Sequence, residues 1–284
     1  MNKVDFVPFS IVVHGRLVEF SRPAVMGILN VTDDSFYDGG RYREPDAMLA
    51  QAERMLAEGA DIVDVGASSS RPGATLLPPD EEARRLVQAV SLLRSRWPEA
   101  ILSVDTCYSL PARAAIEAGA DIVNDIGGGD IDPTMFETVA ELQVPYILMH
   151  GGKEHVAGAK SMKNGAHEDV IDEMVRFFSS RLYRLYRLGV KDVWLDPGFG
   201  FAKDVDENYE VLMRLDELTS LFHEPLLAAL SRKRMIYTRL NTTAEEALYG
   251  TVALDTLALE RGARLVRVHD VKPATDTIKL LYNQ

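Results

Sequence analysis

Apolar and polar positions along this chain fall into a repeating rhythm. A helix-like stretch ends at glycine, a short apolar run follows, and the run closes on a polar residue. Gly59-Ala60-Asp61-Ile62-Val63-Asp64 is one instance, and Gly119-Ala120-Asp121-Ile122-Val123-Asn124 is nearly the same. Gly262-Ala263-Arg264-Leu265-Val266-Arg267 is a third, and Gly189 to Asp196 is a longer relative. Glycine suits the left-handed turn that ends a helix, and unbroken apolar runs suit strands covered on both faces. The rhythm predicts strands near 24–29, 61–65, 101–105, 121–125, 145–149, 192–196, 226–230 and 263–268, with helices between. Glu168 to Leu188 shows the helical period best, with Ile171, Met174, Phe178, Leu182 and Leu185 three or four apart. Pro45 and Pro133 sit near helix starts, where a missing N–H costs little. Residues 1–20 stand outside the rhythm and read as an antiparallel hairpin around His14-Gly15, a plug or cap.

Eight strands alternating with eight helices predict an α/β fold, a single (β/α)8 TIM barrel with a short N-terminal β-hairpin. An open doubly wound sheet is the alternative, but no Gly-x-Gly-x-x-Gly follows the first strand. The 284 residues exceed the usual single-domain length, yet barrels routinely use about 250 as one domain. One domain over 1–284 is expected, with 1–22 as a hairpin extension.

A formal net charge of −12 argues against a nucleic-acid partner, whose phosphates it would repel. It leaves room for a small anion, since a few convergent cations dominate a local field. Cys107 is the one cysteine, so no intrachain disulfide forms and a reducing compartment fits. Met1 to Arg22 lacks the unbroken apolar segment of a signal peptide, and no stretch reaches the ~18 apolar residues of a membrane span. A cytoplasmic enzyme without membrane contact is the expectation.

In a barrel the carboxyl ends of the strands line the mouth where chemistry occurs. Here those ends carry Asn30, Asp64, Asp105, Asn124, His150, Asp196, Lys233, Arg267 and His269. Any one of them could simply cap a turn or helix; nine together are the signal. Arg267 and His269 are two apart, so both side chains face the same side. Side by side they make an anion site, against the plainer reading of a surface Arg and a capping His. Ser231 and Lys233 share that spacing within Ser231-Arg232-Lys233-Arg234, a run that could also be a solvated turn. Irregular segments follow three strands, at Asn30 to Gly40, Gly66 to Gly73 and Asp196 to Phe201, and such loops either turn tightly or move over a ligand.

Met26-Gly27-Ile28-Leu29-Asn30-Val31-Thr32 with Asp34-Ser35-Phe36, and later Ser70-Arg71-Pro72-Gly73-Ala74, resemble the two signature segments of dihydropteroate synthases. Ser103-Val104-Asp105-Thr106, Asn124-Asp125-Ile126, Leu148-Met149-His150, Asp196 to Phe201, Ser231-Arg232-Lys233 and Arg267-Val268-His269-Asp270-Val271 follow in that family's order. The likeness runs from roughly Ala24 to Leu280. It implies a transferase that joins the methylene of 6-hydroxymethyl-7,8-dihydropterin diphosphate to the amine of p-aminobenzoate, releasing diphosphate in folate biosynthesis.

The resemblance also implies roles. Asp105, Asn124, Asp196 and Lys233 would form the pterin pocket. Asn30, Arg267 and His269 would hold the diphosphate, with Asn30 also on Mg2+, and Ser70 and Arg71 would complete the anion site. Phe36, Pro72 and Phe201 would wall the p-aminobenzoate site beside Lys233. Catalysis would rest on Arg71, Lys233, Arg267 and His269 stabilising the departing charge. Family members are commonly homodimers, which is the expectation here.

Several positions depart from the family pattern. Asp33 stands where Pro is usual, Ala67-Ser68-Ser69 where many members carry a Glu and a Thr, and Gly151-Gly152-Lys153 where Met-Arg-Gly is common. Arg234 replaces a small Ser and Ala229 a frequent Gly. Cys107 follows Asp105 closely, but no base is near it in sequence, so an inert thiol is expected. His155 and His167 lack metal-ligand partners at workable spacing and read as solvated. A methyltetrahydrofolate methyltransferase barrel, or a pterin-binding barrel without catalysis, are the alternatives; the first has no need of Arg71, Arg267 and His269.

Overall fold

The computed structural model describes residues 6–31, 43–68, 76–152 and 169–282. The chain opens with an antiparallel hairpin, β1 (Phe9–Val13) and β2 (Arg16–Phe20), turning through His14 and Gly15, both at positive φ. Then strands and helices alternate: β3 (Ala24–Asn30), α1 (Arg43–Ala57), β4 (Ile62–Gly66), α2 (Pro79–Arg96), β5 (Ile101–Asp105), α3 (Ser109–Glu117), β6 (Ile122–Asp125), α4 (Met135–Leu142), β7 (Tyr146–Met149), α5 (Val170–Leu188) and β8 (Val193–Asp196). Two short helices follow, α6 (Val205–Met213) and α7 (Leu215–Leu221), then β9 (Leu227–Ala228), α8 (Arg234–Leu240), α9 (Leu248–Glu260), β10 (Leu265–Val268) and α10 (Val271–Tyr282).

The strands β3 to β10 form one parallel sheet in the order β8-β7-β6-β5-β4-β3-β10-β9. A parallel bridge between Leu195 and Leu226 joins its two ends, so the sheet curls into the expected barrel. Alternation along each strand sorts the side chains. Val25, Val63, Leu102, Val123, Leu148, Leu195 and Val266 pack outward against the helices. Ala24, Met26, Ile62, Ile122, Ile147, Trp194, Leu227 and Leu265 face inward and form an apolar floor. Phe9, Ile11 and Phe20 of the hairpin belong to that same cluster, with Phe9 and Phe20 stacked 4.7 Å apart and Trp194 edge-on to both. The hairpin is therefore a plug at the amino end of the barrel.

The aspartates that precede three of the strands fasten this end. Asp61 accepts from Val25 N and takes both terminal nitrogens of Arg22. Asp121 accepts from Leu102 N and Arg94 and meets His14 at 2.6 Å. Asp192 accepts from Val12 N of the plug. These three residues precede alternate strands, so they tie the strand starts together while the strand ends stay available for chemistry. Among the described residues no helix is long and apolar enough to cross a membrane.

Candidate active site

Two residues beyond the apolar floor, the strands turn polar. Asp64 follows Ile62, Ser103 follows Ile101, Asn124 follows Ile122, Asp196 follows Trp194 and Arg267 follows Leu265, so each points into the barrel. Gly66 and Asp105 come two residues later on their own strands, and His269 stands just past the end of β10. An added Cβ on Gly66 would stand 3.6 Å from Asn30 Oδ1 and 3.7 Å from Asp105 Oδ2, so the bare backbone there keeps these two side chains open to each other.

One guanidinium ties this layer together. Arg267 Nε donates to Asp64 Oδ2 at 2.6 Å, and its Nη2 donates to Asp105 Oδ2 at 2.7 Å. Asn124 Nδ2 donates to the same Asp64 Oδ2 at 3.0 Å. Asp196 accepts from Gly198 N at 2.7 Å. The Lys233 ammonium lies 4.5 Å from the centre of the Phe201 ring and donates to Phe199 O. Ser231 Oγ accepts from His269 N and lies 3.0 Å from His269 Nδ1. The hydroxyl can donate to a bare Nδ1 or accept from a protonated one, and either way the contact occupies Nδ1 and leaves Nε2 as the outer nitrogen.

Burial sets the charge states. It pushes Asp105 up to about 7, although Arg267 pulls the other way. Asp196 is also raised by burial, with Lys233 opposing. The same desolvation brings Lys233 down to about 8, partly offset by Asp196. His269 falls to about 4, first from burial and then from the charge on Arg267, so it is neutral in the ligand-free site. Burial also works against the charge on Arg267, but Asp64 and Asp105 outweigh it and hold the guanidinium charged. Perturbed groups of both signs around one concavity mark a functional centre.

Asp105, Asn124, Asp196, Lys233, Arg267 and His269 thus meet at one end of the barrel with Asn30 and Phe201. Phe36, Ser70, Arg71 and Pro72 lie outside the described residues, as do Asp33, His155 and His167. The His150 ring is engaged elsewhere, with Lys203 Nζ 3.1 Å from its Nδ1 and Glu173 3.5 Å from its Nε2. Cys107 is buried and its thiol is pushed up by desolvation and neighbouring carboxylates, as an inert cysteine should be.

The solvated-turn reading of Ser231 to Arg234 needs correction. Arg232 takes a left-handed φ of 55° and pairs with Asp270 through Nε and Nη2, while its Nη1 caps Ala244 O and Glu245 O. It holds the turn that aims Lys233 inward; of the three cations only Arg234 is exposed. The surface-Arg alternative for Arg267 is likewise set aside by its 13% side-chain exposure. Sequence reasoning counted Asp64 among the polar strand ends but gave it no specific role, yet it is the acceptor that Arg267 and Asn124 share.

Comparison with known proteins agrees with this geometry. The family model described as pterin binding enzyme matches residues 26–269. A dihydropteroate synthase of Streptococcus pyogenes is 41% identical over 271 residues, covering 94% of this chain and 97% of the relative. The chain belongs to the dihydropteroate synthase family. The Escherichia coli K12 family member is 38% identical over 270 residues, with 94% of this chain and 93% of the relative covered. A Yersinia pestis dihydropteroate synthase, solved as a sulfonamide drug complex, superposes with a TM-score of 0.86 at 36% identity, covering 97% of this chain and 98% of that one. The Xanthomonas albilineans dihydropteroate synthase solved with 4-aminobenzoic acid gives 0.84 at 38% identity, covering 95% and 96%. Membership makes the chain a transferase of folate synthesis.

Proposed function

We infer that this chain condenses 6-hydroxymethyl-7,8-dihydropterin diphosphate with p-aminobenzoate to give 7,8-dihydropteroate and diphosphate. The convergence of Asn124, Asp196, Lys233 and Arg267 around one pocket carries the reading. Asp196, an inward carboxylate whose Oδ1 accepts from Gly198 N and whose second oxygen takes no hydrogen bond among the described residues, suits two parallel bonds from the ring's amino-pyrimidine edge. Asn124 can donate and accept along that edge, Asp105 can accept a ring N–H, and Lys233 can donate to the ring carbonyl and a ring nitrogen.

The reaction breaks the bond between the methylene carbon and the diphosphate oxygen, with the electron pair leaving on oxygen. The arylamine nitrogen supplies the new pair to carbon and gives up a proton to solvent. An aromatic amine is nucleophilic as it stands, so the site's work is to stabilise leaving charge and hold the amine in line. Arg267 Nη1 carries no hydrogen bond among the described residues and is the donor turned to the diphosphate. His269 is neutral until an anion arrives and would donate from Nε2. Ser70 and Arg71 would complete the anion site, and Phe36, Pro72 and Phe201 would wall the p-aminobenzoate ring and exclude water.

Asn30 fits a role on Mg2+. Its side chain is exposed at the end of β3 with no hydrogen-bond partner among the described residues. No group of three His, Cys, Asp or Glu there could hold a metal, so the chain offers one hard amide oxygen and the diphosphate and waters would offer the rest. When bound, Mg2+ would neutralise diphosphate charge. A homodimer in the cytoplasm completes the reading. Helix α9 lacks a charged outer face until Glu260, presents Tyr249 at 86% exposure and at Gly250 lies against the exposed Leu240 of α8, an apolar surface that suits a second subunit. The whole chain is read as one domain with the hairpin as its extension.

Diphosphate release from the pterin substrate, followed with and without p-aminobenzoate, tests this. Release only when both are present supports the synthase. Tight pterin binding without release under either condition overturns it in favour of a binding barrel.

A further inference from the structure

We propose that Asp64 is a positioning residue that couples the pterin half of the site to the diphosphate half. The inference rests on the synthase reading above. Asp64 lies in the middle of β4, fully buried, and a single oxygen of its carboxylate does two tasks: Oδ2 receives Arg267 Nε at 2.6 Å and Asn124 Nδ2 at 3.0 Å. Arg267 is the diphosphate cation and Asn124 a pterin-edge amide, and they stand on β10 and β6, strands that are not neighbours in the sheet. The two subsites therefore share one acceptor.

The other oxygen makes the arrangement lopsided. Asp64 Oδ1 is buried without a hydrogen-bond partner, and so is Ser103 Oγ, its register neighbour on β5. Among the described residues no hydrogen bond holds the carboxylate on that side, so its orientation follows from the two donors on Oδ2. When the pterin edge fixes the Asn124 amide, the carboxylate is fixed with it, and Arg267 Nε is anchored with Nη1 left for an anion. When an anion fixes Arg267, the chain of contacts runs the other way. Ligands that order the same element bind with positive linkage, and the linkage is reciprocal. Asp105 tethers Arg267 as well and is the register neighbour of Asn124, but among the described residues the hydrogen bond of the Asn124 amide goes to Asp64, so Asp64 carries the direct link.

Calorimetry with two half-ligands tests it. Inorganic pyrophosphate is titrated in Mg2+ buffer with and without saturating 6-methylpterin. In the wild type the pterin tightens pyrophosphate about fivefold or more, the lower end of ordinary coupling. In Asp64→Asn both ligands still bind, each more weakly, and the ratio falls to about one. Asp64→Glu is the second variant, since it keeps a charge opposite Arg267 and with it the fold. Its carboxylate stands a methylene further out, cannot serve both donors, and loses the ratio as well. A wild type that binds both ligands without linkage overturns the proposal alone, as does either folded variant that keeps the wild-type ratio. A wild type that binds neither ligand overturns this proposal and the synthase reading together.

Discussion

Arg267→Met isolates the cation at the centre of the polar layer. Methionine keeps the unbranched stem but removes the group that sits 2.6 Å from Asp64 and 2.7 Å from Asp105. Those carboxylates are 0% and 8% exposed, so neither gains water in exchange. Removing one partner of a buried pair costs about 3–5 kcal/mol, which for a chain of this size corresponds to a fall in melting temperature of roughly 10 °C. The loss also depends on pH. Burial already raises Asp105 to about 7 against the pull of Arg267, and without the guanidinium it rises further. A carboxyl raised in the fold binds more protons folded than unfolded, so its cost grows as pH climbs towards the folded value. Below pH 7 Asp105 is protonated in both proteins and contributes little to their difference. Above pH 7 the wild type ionises it beside Arg267 while the variant keeps it protonated at a cost. Urea denaturation of both proteins at pH 6 and pH 8.5 reads this directly, with the larger gap expected at pH 8.5. Turnover should fall at least about a hundredfold, the usual effect of losing one donor to a developing oxyanion. A gap under about 1 kcal/mol, or one equal at both pH values, would refute the triad as described.

Three further outcomes follow from the same geometry. Pterin binding should strengthen as the pH rises towards 7 and level off above it, with a slope of at most about tenfold per unit, because the ionised Asp105 is the stronger acceptor for a ring N–H and its carboxyl stands at about 7 when free; calorimetry between pH 5.5 and 8.5 checks this, and a flat profile counts against it. Asp255→Leu should stabilise the protein by about 1–3 kcal/mol, because Asp255 is buried with an unpartnered Oδ1 in an apolar helix. Burial alone holds its carboxyl well above the usual range, so the gain should be larger at pH 8 than at pH 4 in denaturant melts. Gly198→Ala should cost several kcal/mol and abolish pterin binding, since its φ is +68° and a Cβ would lie 2.1 Å from His150 O; a melting curve and a binding titration together report it.

The barrel was legible because strands buried on both faces leave unbroken apolar runs between glycine and a polar end. Most strand ends fell within a residue or two of their predicted places. The strand expected over 226–230 shortens to Leu227–Ala228 because the chain turns early to present Ser231 and Lys233. Their places at the carboxyl ends of strands put Asp105, Asn124, Asp196 and Arg267 at one mouth of the barrel before any coordinates, and parity put Arg267 and His269 on the same side. Partnership was not legible. The contact between Arg267 and Asp64 spans 203 positions, and no local pattern records which of several inward acids a guanidinium will choose. Arg232 and Lys233 read alike in sequence, and only the left-handed turn at Arg232 separates a scaffold cation from a pocket cation. Asp255 was hidden for the opposite reason: a lone carboxylate among apolar residues does not disturb a helical period.

The most direct measurement is the identity and stoichiometry of the products. Wild-type protein supplied with the pterin diphosphate and p-aminobenzoate should yield 7,8-dihydropteroate, identified by mass, in equal amount to the diphosphate freed, and Asp196→Asn should yield neither at a comparable rate. Diphosphate appearing without the coupled product, or an Asp196→Asn protein as active as the wild type, would contradict the account of this pocket.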